Sequence, residues 1–261
     1  MIRCSRISAV FLRYFYLITG LHQVAELFFW PLIDILLWGL TTVWLEHQGD
    51  MPGKLPLLIL TGLIFWQILI RGSYEIAVNL LQEFWNRNLV NLFSTPLHIM
   101  EWALGVLLLC ICKTLISLAF GALLVYLLYT LNVFTLGWVF LPYAFSLLIS
   151  GWILGFLASS LIIRYGQKLE MLAWMTAYLF APFSAIFYPV ESLPSWAQAI
   201  AFCLPMTYVF EGMRHVLQGG LFSWFDFSMS VGLNMLYLTG AIVLFVLSFE
   251  KSRTRGLNRL E

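Results

Sequence analysis

Six apolar stretches, about 24–45, 56–78, 102–131, 138–163, 170–188 and 228–249, take up most of this 261-residue chain. Each is near the roughly 20 residues that a helix needs to cross a bilayer. The composition agrees: 61% of residues are hydrophobic and 10% charged, whereas a soluble domain carries charge on about a quarter of its residues. The segments between the stretches are too short to house a separate globular domain. The fold expected is a single all-α polytopic membrane domain over 1–261, with six transmembrane helices.

The opening MIRCSRISAVFLRYFYLITGLH sets Arg3 and Arg6 before an apolar run, as a secretion signal would. Arg13 interrupts that run, and no small-x-small cleavage site follows. Arg6 and Arg13 are seven apart and share a helical face, which predicts an interfacial helix over about 5–22 with its arginines at the headgroups. A frayed tail is the alternative. Orientation follows from lysine and arginine. With both ends inside, the cytoplasmic segments hold Arg3, Arg6, Arg13, Arg87, Arg164, Lys168, Lys251, Arg253, Arg255 and Arg259, against Lys54 and Arg214 outside. By the positive-inside rule this predicts a multi-pass protein of the inner (cytoplasmic) membrane with both termini cytoplasmic. The net charge of +1 gives no sign of nucleic-acid binding. Cys110 and Cys112 point to different faces of a helix and read as packing residues. His22, His47, His98 and His215 show no metal-ligand spacing.

Along the chain, Pro31 predicts a kink in the first span. Residues 79–101 form the longest cytoplasmic connection, closed by Ser94-Thr95-Pro96. Gly151, Gly155 and Ser159 recur at intervals of four, and span 3 carries Ser117 and Gly121; small residues at that spacing let helix backbones approach closely. No internal repeat is present, which weighs against an inverted-repeat carrier.

The stretch FYPVESLPSWAQAIAFCLPMTYVFEGMR, from Phe187 to Arg214, is too interrupted by Pro189, Pro194 and Pro205 to be a span and too apolar for a water-exposed loop. Its pieces, Ser195 to Phe202 and Thr207 to Leu217, are short broken helices over 189–220, of the kind tolerated at membrane depth only where protein or a water-filled cavity satisfies the backbone. The stretch resembles the segment before the last span in ABC-2 exporter permeases. The pattern there is roughly aromatic-Pro-x-Glu-x-Leu-Pro-x-Trp, Pro-x-Thr-Tyr and Glu-x-x-Arg, met here by Tyr188, Pro189, Glu191, Leu193, Pro194, Trp196, Pro205, Thr207, Tyr208, Glu211 and Arg214. Thr95-Pro96 also looks like the family, whereas Glu83-Phe84-Trp85-Asn86-Arg87-Asn88 departs from its usual acidic-basic run.

The chain has no G-x-x-x-x-G-K-[ST] phosphate cradle. The resemblance therefore implies a transport subunit rather than an enzyme, with no cofactor of its own. ATP and Mg would be bound by a partner ABC ATPase present in two copies, and a second permease copy would complete the path. The long cytoplasmic connection offers coupling candidates for that ATPase at Glu83, Trp85, Arg87 and Asn88, beside the family-like Thr95 and Pro96. The resemblance also implies an external gate formed by Glu191, Pro194, Trp196, Pro205, Tyr208, Glu211 and Arg214, with Pro205 setting the break between the helices. The cargo implied is a lipid, a lipid-linked glycan or a hydrophobic small molecule. Four intramembrane charges, Asp34, Arg71, Glu75 and Lys113, are costly unless they face protein or water. Similar depth allows an Asp34–Lys113 pair, and Arg71 and Glu75 are spaced to pair along one helix. An ion-coupled carrier using Asp34, Glu75 or Lys113 is the rival reading. Trp30, Trp38, Trp44, Trp66, Trp138, Trp152 and Trp196 fit interface belts or the core better than a glycan track.

Overall fold

A computed structural model describes residues 3–17, 20–48 and 55–254; Lys54, Arg255 and Arg259, used above for orientation, lie outside them. The described residues form helices joined by short 3-10 turns, with no strand among them. The helices are α1 (Cys4–Leu17), α2 (Leu21–Gln48), α3 (Leu55–Trp85), α4 (Leu89–Ser94), α5 (Ile99–Tyr129), α6 (Phe140–Tyr165), α7 (Leu172–Phe180), α8 (Ser195–Ala201), α9 (Pro205–Leu217) and α10 (Trp224–Thr254). Five long apolar helical segments could cross a membrane: Val24–Glu46, Leu55–Trp85, Ile99–Tyr129, Val133–Tyr165 and Trp224–Thr254. Pro31 sits inside α2 without ending it.

The stretch 170–188, expected as a single spanning helix, is not one. Its helix α7 has 9 residues, about 14 Å at the helical rise, against a hydrocarbon core of about 30 Å. Pro182 removes a backbone donor and crowds the carbonyl four residues back, and the path tightens there into a 3-10 turn over Ala181–Phe183. Ala185 then takes φ 58, a left-handed backbone that ends any helix.

α3 is the central helix, buried on nearly every side. α6 lies beside it and runs parallel: Phe65 stacks on Phe140 at 5.0 Å, and further along a Cβ on Gly72 would stand 3.1 Å from the Gly151 Cα. A Cβ on Gly155 would stand 2.7 Å from the Ser73 carbonyl, so the small residues at this spacing let the two backbones touch. α10 is parallel to α6 as well. Ser146 bonds Ser230 at 2.7 Å, Ser150 donates to Asn234 at 2.8 Å, and Ser252 donates to the Ile163 carbonyl at 2.9 Å. α5 runs antiparallel to α3, with Lys113 beside Glu75 and Gly121 against Ile64. α2 packs on both, meeting α3 through Gln67 on Asp34, and α5 through Phe28 on Phe120 and the Tyr129 hydroxyl donating to the Ile35 carbonyl at 3.2 Å.

Between the parallel α6 and α10 the chain has to return. Residues 170–186 climb antiparallel to α3: Trp85 donates to Glu170 at 3.2 Å and stacks on Trp174, Trp66 meets Tyr178, and a Cβ on Gly62 would lie 3.2 Å from the Ile186 carbonyl. One end of the bundle thus gathers α1, the close of α3, α4, the start of α5 and the close of α10. The other gathers α8 and α9.

Candidate functional site

At the α1 end, two buried carboxylates organise the surface. Glu83, on the last turn of α3, is 1% exposed. It accepts from Arg13 Nη2 at 2.7 and 2.9 Å, from the Tyr14 hydroxyl at 2.5 Å and from Asn88 Nδ2 at 2.7 Å. Trp102 Nε1 donates to the Tyr14 oxygen at 2.8 Å. Burial, reinforced by the charge of Glu83, pushes the Tyr14 hydroxyl up from its ordinary value, so it keeps the proton that it donates. Glu101 accepts from the Arg3 N–H at 2.8 Å, the His98 N–H at 2.9 Å and Arg6 Nη1 at 3.3 Å. Two expectations are corrected here. Arg6 and Arg13 bind carboxylates of α5 and α3 instead of reaching for headgroups, because a charge-assisted bond to a buried acid outweighs a solvated contact. For the same reason Glu83 is turned inward and offers nothing to a partner surface. α3 also runs on as far as Trp85, so the connection expected over 79–101 shrinks to Asn86–His98 around the short α4.

The other coupling candidates divide. Trp85 is half exposed but engaged by Trp174 and Glu170. Asn88 serves Glu83. Arg87, at φ 49 in the turn before α4, is exposed, as are Thr95 and Pro96. Thr95 and Pro96 share one shallow groove with Arg6, Arg13 and Leu92, and a second with Arg3, His98 and Arg253.

At mid-bundle, Glu75 is the hub of the intramembrane charges. Its Oε2 accepts from Lys113 Nζ at 2.8 Å and from Asn79 Nδ2 at 3.1 Å, and Arg71 Nη1 lies 3.5 Å from its Oε1. The depth-matched Asp34–Lys113 pair is therefore not formed. Lys113 meets Glu75 across the α3–α5 contact, and Asp34 accepts from Gln67 Nε2 at 2.5 Å. A cavity of about 730 Å³ opens between α2, α3 and α7, with Asp34, Gln67, Arg71, Trp30, Trp174 and Tyr178 among its walls. Glu26, which the sequence reading passed over, also lines it and accepts from the Tyr74 hydroxyl. Its signal was an acid set in the first turns of an apolar stretch. Trp30, Trp44, Trp138 and Trp196 are exposed, and Trp66 is buried.

At the far end, α8 and α9 form an elbow. Pro194 caps α8, Pro205 opens α9, and Leu204 between them is extended at φ −97, ψ 125. The Tyr237 hydroxyl, more than three turns into α10, donates to the Cys203 carbonyl at 3.0 Å, so the elbow lies beside apolar helix and not above it. Glu211 accepts from the Val190 N–H at 2.7 Å and pairs with Arg214 at 2.9 Å. Arg214 Nη2 donates to the carbonyl of the left-handed Ala185 at 2.7 Å. Tyr208 donates to the Phe202 carbonyl at 2.9 Å. Glu191 and Trp196 face outward, Trp196 with its edge on Phe183.

The long apolar helices, packed around a charged hub, define a helical membrane domain. The ABC-2 type transporter family matches residues 22–217, from the start of α2 to the end of α9. The chain belongs to that family and is a multi-pass permease subunit. No curated protein matches it.

Proposed function

We propose that this chain is the membrane subunit of an ATP-driven exporter. Two copies form the path, and each receives the stroke of a separate ATPase subunit that binds ATP and Mg. The observation that carries the reading is the joint at the α1 end, where exposed Arg87, Thr95 and Pro96 sit next to α1 and α3 tied together through Glu83. A load applied there reaches α3 directly, because a packed, hydrogen-bonded element shifts as a unit. The return of residues 170–186 supports a sixth, broken crossing, and with it a cytoplasmic location for both termini. The α8–α9 elbow is the external closure.

The ion-coupled carrier draws less support. Of its three groups Glu75 and Lys113 are paired with each other, which leaves Asp34 alone to carry that reading. Co-purification with an ATPase partner tests the coupling, with Arg87→Glu as the probing variant. The expected outcome is a folded, membrane-inserted subunit that recovers several-fold less ATPase, and undiminished recovery together with wild-type export would refute the assigned surface.

A further inference from the structure

The cavity between α2, α3 and α7 has a charge imbalance that its own residues do not resolve. Glu26, Asp34 and Arg71 are the charged groups on its wall. Arg71 leans on Glu75, which Lys113 also engages. These two cations face three carboxylates, so one negative charge is unmatched. None of the ion pairs among the described residues involves Glu26 or Asp34. Among the described residues each receives a neutral donor, Tyr74 for Glu26 and Gln67 for Asp34. Carboxylates at this depth are expensive without a cation. Ser73 adds an independent sign. It lines the cavity, is 2% exposed, and its Oγ has no hydrogen-bond partner, although a helical serine ordinarily bonds back to its own helix.

The remaining wall is aromatic and apolar. Phe29, Trp30, Trp174 and Tyr178 surround the acids, and the volume of about 730 Å³ falls in the range of sites for small organic ligands. Ring faces attract a cation most strongly where water is excluded. We propose that this cavity binds an organic monocation, with its charged centre against Asp34 and Glu26 and its apolar body against Trp30, Trp174 and Tyr178. The two acids repel an anion of the same shape, and Arg71 is occupied by Glu75. That this ligand is cargo rests on the permease reading; that it binds does not.

The test uses the full-length subunit, purified without ATPase into phosphatidylcholine nanodiscs, and equilibrium binding of radiolabelled tetraphenylphosphonium. Tetraphenylborate, the same shape with opposite charge, is the comparison. Saturable binding of the cation alone is expected. Asp34→Asn and Trp30→Ala should each weaken it at least tenfold, and Asp34→Glu should restore most of the affinity, which separates a charge effect from misfolding. Equal saturable binding of the borate, or undiminished cation binding when Asp34→Asn and Glu26→Gln are combined, overturns the site. A disulfide between two copies through Trp30→Cys on a cysteine-free background, with no cation bound by the wild type, would make the cavity a subunit contact and also overturn it. ATPase co-purification is scored separately, so loss of cation binding with the partner retained removes the site and leaves the permease reading standing. The opposite result leaves the site and removes the permease reading.

Discussion

Glu211 and Pro205 exchange importance once their surroundings are seen. From sequence, Pro205 is the residue that breaks the elbow and Glu211 half of a surface pair. In the structure Pro205 occupies the first turn of α9, where a missing N–H goes unused, and the break belongs to the extended Leu204. Glu211 holds the Val190 N–H and one side of Arg214, whose other arm fixes Ala185. Glu211→Ala should therefore cost about 1–3 kcal/mol, the range for stranding buried polar partners, and Pro205→Ala well under that. Thermal unfolding in detergent and export at matched expression check the order; a larger loss from Pro205→Ala would return the hinge to the proline. The motif was readable in the chain because prolines and a spaced Glu–Arg pair announce themselves locally. Val190 and Ala185 were not, since they take part through backbone groups that any side chain would present. Glu83 went wrong for a similar reason: its partners Arg13 and Tyr14 lie about 70 residues away, and nothing nearby marks an acid as buried.

The element scale shows the same division. Because hydropathy over some 20 residues is a strong signal, long apolar runs located α2, α3, α5, α6 and α10, though α3 runs on to Trp85, past the end expected at 78. The run 170–188 is apolar too yet breaks, since one proline and one left-handed residue outweigh composition in a short helix. The serine and asparagine ladder between α6 and α10 was also missed. Ser146, Ser150, Ser230 and Asn234 become meaningful only when the two helices lie parallel. The glycines were legible, and they yield a direct prediction. A Cβ at Gly151 would sit 2.9 Å from the Gly72 Cα, so Gly151→Leu has to part α3 from α6 and should cost at least about 3 kcal/mol. Gly232 on α10 has nothing within 4 Å of its added Cβ, and Gly232→Ala should be neutral or gain up to ~1 kcal/mol of helix propensity. Unfolding midpoints of the two variants check this. A Gly151→Leu protein as stable as the parent would mean that the α3–α6 contact is looser than drawn.

For the whole molecule, the described ends lie together, α1 and the close of α10 both flanking the α3–α5 connection. Single cysteines on a cysteine-free background at Arg87 and Arg253 should stay protected from a membrane-impermeant reagent in intact cells, and one at Glu191 should react; the reverse pattern would turn the bundle over. Helices α3, α6 and α10, pointing one way and joined by touching backbones and buried polar rungs, make a stiff spine along one side. The flank opposite is soft, because α7 stops short and the chain corners at Ala185. A push delivered beside Glu83 should then travel the length of α3 with little loss. It emerges at Gly62, which lies against Ile186 and Met213 and next to the corner that Arg214 holds shut. If the α1 end takes the stroke, the molecule would act as a ram and a latch, and the guanidinium on the Ala185 carbonyl is the contact that should let go.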